Sequence, residues 1–176
     1  MTRAVVGIIG GSGVYDLPGL ANIRRERVTT PWGEPSDELA FGELGATQAV
    51  FLPRHGRGHR LSPSTINYRA NIDAMKRAGV TDLISVSACG SFKSELFPGL
   101  FVLIDQFVDR TFARQSSFFG DGCVAHVSMA HPIAALLSAR IGAAAKAEGI
   151  DHVAGGTYVC MEGPQFSSYA ESLTYK

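Results

Sequence analysis

Three short stretches of this 176-residue chain carry side chains suited to holding a small anion. The first is GIIGGSGVYD, where Gly10, Gly11, Ser12 and Gly13 follow the apolar run Ala4 to Ile9. Backbone N–H groups in a glycine-rich turn after a buried strand converge on negative charge, and the Ser12 hydroxyl adds a donor. The second is FLPRHGRGH, which sets Arg54 and His55 directly after the apolar run Ala49 to Pro53. A guanidinium offers the planar fork of donors that matches phosphate oxygens in pairs. The third is SVSACGS, where Ser87 and the small Ala88 follow another apolar run and allow backbone to come close to a ligand.

The pattern narrows the ligand. A dinucleotide site needs G-x-G-x-x-G/A opening a helix. Here Asp16 takes the third position, and Leu17-Pro18-Gly19 keeps a helix from starting in register. The nucleotide loop G-x-x-x-x-G-K-[ST] is absent. For GGSG taken alone, a plain strand-to-loop turn stays open beside an anion site. His55 and His59 have H-x-x-x-H spacing, but Gly56 and Gly58 between them oppose a helix and no carboxylate is near, so no metal is expected.

Elements of both periods must position these groups. Apolar, β-branched runs predict strands at Val5–Ile9, Leu39–Gly42, Ala49–Pro53, Leu83–Val86, Phe101–Ile104 and Thr157–Met161. From Asn67 to Ala78 the period changes to a helix, with Tyr68, Ile72 and Met75 on its apolar face and Gly79 just past its end. A second helix is expected over Pro132 to Glu148, with the proline in its first turn and Gly149 after it. Ser168-x-x-Glu171 reads as a capping box opening a third. The alternation predicts an α/β fold, with a mixed, largely parallel central sheet flanked by helices in a single domain over 1–176. Strand C-termini of such a sheet share one edge, where the three stretches can meet. The third helix has about eight residues before Lys176, short of the roughly 12–15 an isolated helix needs. The expectation is a chain cut off at its C-terminal end, part of a longer protein.

Composition excludes several classes. Sixteen basic and sixteen acidic residues are interspersed and give zero formal charge, so no nucleic-acid surface is expected. No run reaches the roughly 20 apolar residues of a membrane span. MTRAVVGIIGG passes from one Arg into a glycine turn without a leader's apolar region, which points to the cytoplasm. Cys89, Cys123 and Cys160 are odd in number and widely spaced, as reduced thiols are. Cys89 reads as a small structural residue, because no partner His marks it as a nucleophile.

GIIGGSGVYD, TPWGEPSD, RHGRGH followed by INYRAN, SACGS, IDQFVDRT and MEGPQFSS occur together and in order. In this the chain resembles the methylthioadenosine phosphorylase branch of the trimeric purine nucleoside phosphorylases, over essentially its whole length. The resemblance implies the nucleoside phosphorylase fold, a homotrimer, and no cofactor, inorganic phosphate being a co-substrate. It implies attack of phosphate on C1′ of 5′-methylthioadenosine, giving adenine and 5-methylthioribose 1-phosphate. Methylthioinosine, inosine or guanosine are the alternative substrates, and a fragment that only binds phosphate is the alternative for this chain. Ser12, Arg54, His55 and Ser87 match the family's phosphate contacts, with Ala88 beside them and next to the nucleoside. Phe166 matches an aromatic packing on the nucleoside, Ser167 a position that chooses among purines, and His126 a histidine reaching the 5′-substituent across a subunit boundary. The Asp that assists the leaving purine is expected beyond Lys176. Glu162 is given no chemistry.

Overall fold

The computed structural model describes residues 4–176. Met1, Thr2 and Arg3, the first residues of the stretch read above for a leader, lie outside the described residues. The chain divides into two compact units: the first runs through Cys89 and takes in Gln115–Phe118, and the second comprises Gly90–Arg114 and Phe119–Lys176.

The first unit holds strands β1 (Val5–Gly10), β2 (Ala21–Glu26), β3 (Leu39–Leu44), β4 (Thr47–Pro53) and β5 (Asp82–Val86), with helix α1 (Tyr68–Arg77) before β5. The strands form one sheet in the order β2-β3-β4-β1-β5. Strand β1 runs parallel to both β4 and β5, while β2-β3-β4 is antiparallel, so the sheet is mixed. Ala49 to Pro53 is buried without alternation because β4 lies inside the sheet with both faces covered. Its core gathers Ile9, Leu39, Val50 and Leu52 with Ala74 and Met75 of α1. Each of the larger of these side chains removed from water contributes about 1.5–3 kcal/mol.

Asn67 caps α1, its side chain accepting from the Ala70 N–H, and Gly79 leaves the helix at φ +81°. The buried face differs from the expected one. Ala70, Asn71, Ala74 and Met75 are buried, whereas Ile72 is 41% exposed. Small Ala70 and Ala74 face the sheet, and Ile72 stands about 200° around the helix from Ala70.

The second unit holds β6 (Phe101–Leu103), β7 (Gln106–Arg110), α2 (Ala135–Ala147), β8 (His152–Ala154), β9 (Thr157–Met161) and α3 (Tyr169–Tyr175). Two parallel pairs form, β6 with β8 and β7 with β9. Helix α2 packs where Gly142 lacks a side chain; a Cβ there would stand 3.3 Å from Leu103 Cδ1 and 3.5 Å from His152 Nε2. Pro132 is not in its first turn. The helix starts after an extended Ala134 that offers no side-chain cap, leaving the proline upstream. The box at α3 forms: Ser168 Oγ accepts from the Glu171 N–H, and the Glu171 carboxylate accepts from the Ser168 N–H at 2.7 Å. The Ser168 N–H and, next to it, the Ser168 hydroxyl hold the exposed Glu171 carboxyl below its ordinary range. Among the described residues no helix is long and apolar enough to cross a membrane.

Candidate active site

In the first unit the register sets Gly10 of β1 beside both Pro53 of β4 and Val86 of β5. The three parallel strands therefore end level, and Gly11, Arg54 and Ser87 leave from one edge. Backbone hydrogen bonds tie the exits together: Gly11 N–H donates to the Val86 carbonyl at 2.7 Å, and Arg54 N–H to the Gly10 carbonyl at 2.8 Å. Residues 11–14 then form a turn closed by Val14 N–H to the Gly11 carbonyl at 3.1 Å, with Gly13 at φ +85°. A positive φ at the third position is what a type II turn demands of its glycine. The turn leaves Ser12 exposed at its tip.

Gly11 has a different duty. A Cβ there would stand 2.8 Å from the Val86 carbonyl oxygen, 3.1 Å from Arg54 Nη2 and 3.1 Å from Ser87 Cα. Only glycine lets the loop, the guanidinium and the β5 exit come this close. Arg54 donates from Nη2 to Ser87 Oγ at 3.3 Å, and its buried Nε finds no hydrogen-bond partner among the described residues. A buried guanidinium N–H of this kind is costly unless an acceptor meets it, and an oxyanion supplies acceptors. Ser87 is half-buried and Ala88 exposed beyond it.

His55 is buried, 4% exposed, and its Nδ1 lies 2.8 Å from the Leu61 carbonyl. His59 stacks on it, with centroids 4.5 Å apart and planes 10° from parallel. Tyr15 fixes His59 in turn through a 2.7 Å hydrogen bond between its hydroxyl and Nδ1. The two histidines thus make a stack in which each Nδ1 has a hydrogen-bond partner. Burial holds the His55 imidazole below its ordinary range; the Leu61 hydrogen bond opposes this, and the charges of Arg54 and His59 add to it. The neighbouring Arg57 is held at 3.2 Å by Asp16, and Arg60 donates to the Ser36 carbonyl at 2.6 Å.

The nucleoside-side residues other than Ala88 belong to the second unit. Phe166 is 93% exposed, so it is not a core residue of this unit. Ser167 Oγ lies 2.8 Å from Ser172 Oγ, and Phe166 and Ser167 line a cleft with Phe112, Met161 and Tyr175. His126 is exposed in a stretch without regular structure.

Glu162 turns out to organise this unit. It is 6% exposed and accepts from the N–H groups of Phe112 at 2.8 Å and Ala113 at 3.0 Å. Arg114 lies alongside, Nε 3.5 Å from Oε1, and donates from Nη2 to the Met161 and Glu162 carbonyls at 3.2 and 2.9 Å. The clamp joins the exit of β7 to that of β9, directly ahead of Phe166 and Ser167. Its signal in the sequence is an acid immediately after an apolar strand, with an arginine after the partner strand.

Residues 5–176 match the family described as the Phosphorylase superfamily. The chain belongs to that superfamily. Among its superfamily relatives, the S-methyl-5′-thioadenosine phosphorylase of Bradyrhizobium diazoefficiens is 69% identical over 176 residues, all of this chain and 60% of that protein. The protein of the same name from Cereibacter sphaeroides is 62% identical, over 99% of this chain and 60% of its own. A methylthioadenosine phosphorylase from an antarctic soil metagenomic library superposes with TM-score 0.93 at 49% identity, covering 98% of this chain and 61% of that one. The Schistosoma mansoni methylthioadenosine phosphorylase in complex with adenine gives 0.94 at 36% identity, over 98% and 70%. The chain spans about 60% of the length of these curated relatives. The superfamily fold is the mixed α/β nucleoside phosphorylase fold that the six blocks imply.

Proposed function

We propose that the full-length protein carrying this chain phosphorolyses 5′-methylthioadenosine, releasing adenine and 5-methylthioribose 1-phosphate. One observation carries the reading: three level strand ends bring the Arg54 guanidinium, with its orphaned buried Nε, against Ser87 and the Gly11 turn. Ser12, Arg54, His55, Ser87 and the Ala88 backbone hold inorganic phosphate in this account. Breaking the glycosidic bond builds positive charge on the sugar, and an anion fixed beside C1′ is at once nucleophile and electrostatic partner. Phe166, Ser167, Ala88 and His126 are assigned to the nucleoside, and the step that protonates the departing purine is assigned to no residue of this chain.

The names borne by the relatives support methylthioadenosine as the substrate. The reading further includes a homotrimer in which His126 serves a neighbouring subunit, a cytoplasmic location, and no cofactor, metal, nucleic acid or membrane partner. The test is purine release by the full-length protein with and without phosphate, on methylthioadenosine, methylthioinosine, inosine and guanosine. Phosphate-dependent adenine release, fastest from methylthioadenosine, is expected. Hydrolysis without phosphate, or a preference for a 6-oxo purine, contradicts the reading.

A further inference from the structure

The hydrogen bond between His55 and Leu61 fixes a tautomer. A carbonyl oxygen only accepts, so the Nδ1 that lies 2.8 Å from Leu61 O must carry a hydrogen. A neutral imidazole has one N–H, which leaves a lone pair on Nε2. A second N–H would make a cation, and the surroundings oppose it. The ring is buried, follows Arg54, and has His59 stacked face to face upon it. Among the described residues no carboxylate acts on the ring to offset this. Arg57 and Arg60, from the same loop, are engaged by Asp16 and by the Ser36 carbonyl. Tyr15, the residue after the glycine turn, holds the His59 ring in place and so supports the stack.

We infer that His55 presents an unprotonated Nε2 to the bound anion and thereby selects oxyanions that carry a proton of their own. Hydrogen phosphate donates its P–OH to that lone pair while its bare oxygens take the donors of Arg54, Ser12 and Ser87. Arsenate does the same. Sulfate and selenate, with no proton in neutral water, set a bare oxygen against the lone pair. This rests on the phosphate reading above and adds to it the nitrogen, the proton and the class of anion refused. Binding alone is involved; no proton changes owner. A hydrogen bond to a charged partner, replaced by a clash of acceptors, corresponds to about tenfold or more in affinity.

The test is calorimetric titration of the full-length protein with arsenate and with selenate, oxyanions of like shape. At about pH 8, where His55 and free histidine are both neutral, arsenate is expected to bind at least about tenfold more tightly. The gap should close as pH is lowered beneath the ordinary histidine range, because a protonated His55 becomes a donor to bare oxygens. In His55→Gln, whose amide both donates and accepts, the gap should shrink to about threefold or less. Should that variant fail to fold, the pH dependence of the unaltered protein decides. Selenate binding within about threefold of arsenate at the higher pH overturns the inference, as does a gap that survives in His55→Gln. If neither anion binds, or Arg54→Ala binds both unchanged, the phosphate reading fails and takes the inference with it.

Discussion

The two units are ordered by different means. In the first, apolar side chains carry the load: Leu39, Leu52 and Ala74 are wholly buried, and helix α1 joins the core through Ala74 and Met75. In the second, Glu162 is the one buried side chain among the described residues, and helix α2 buries none. A polar clamp of Glu162, Arg114 and two backbone N–H groups joins the ends of β7 and β9 there. The contrast bears on function. Arg54 and His55 spring from a packed strand and are held near one geometry, as a charge-directed site requires. Phe166 stands exposed in the segment that follows Glu162.

That contrast can be broken from either side. The largest stability loss is expected for Glu162→Ala, which takes the carboxylate away from Arg114 and from the Phe112 and Ala113 N–H groups. Removing one partner of a buried pair costs about 3–5 kcal/mol, and chemical denaturation should show it together with faster proteolysis near Phe112. An unchanged midpoint would make the clamp incidental. Leu52→Ala in the first unit should cost about 2–5 kcal/mol by opening a cavity in the packed core. The matched change Leu136→Ala, at a side chain that is 80% exposed on α2, should stay within about 0.5 kcal/mol. Equal losses at the two leucines would erase the distinction between the units.

How far the sequence discloses the fold follows the same division. Strand β4 is legible because five consecutive residues are buried and unbroken, and α1 because Asn67 and Gly79 bracket it. Strand β2 is not. It is an exposed edge strand, ANIRRE, with Asn22 at φ +54° where its register shifts against β3, and charges on an edge mask the alternation. Strands β7 and β8 escape notice because short parallel strands with exposed residues have no period to show. Arg54, His55 and Ser87 are legible because a level parallel sheet delivers strand ends together. The support of His55 is not, since it joins Tyr15 to His59 across 44 residues and needs His59 at φ +53°. The Glu162 clamp is hidden for the same reason: its partners lie on another strand exit, 48 to 50 residues away.

The central claim is that the level strand ends around Arg54 bind the attacking phosphate, and phosphate saturation of the full-length protein tests it most directly. Purine release measured against phosphate concentration should fall about 10²–10³-fold in kcat/KM for Arg54→Ala, the scale of losing a preorganised donor to a developing charge. Nucleoside binding, measured separately, should change by no more than about threefold, since uniform loss of both would signal misfolding rather than a lost phosphate contact. Arg54→Lys should recover only part of the loss, because a single ammonium lacks the fork that meets two oxygens. Phosphate saturation left unchanged by Arg54→Ala would contradict the account.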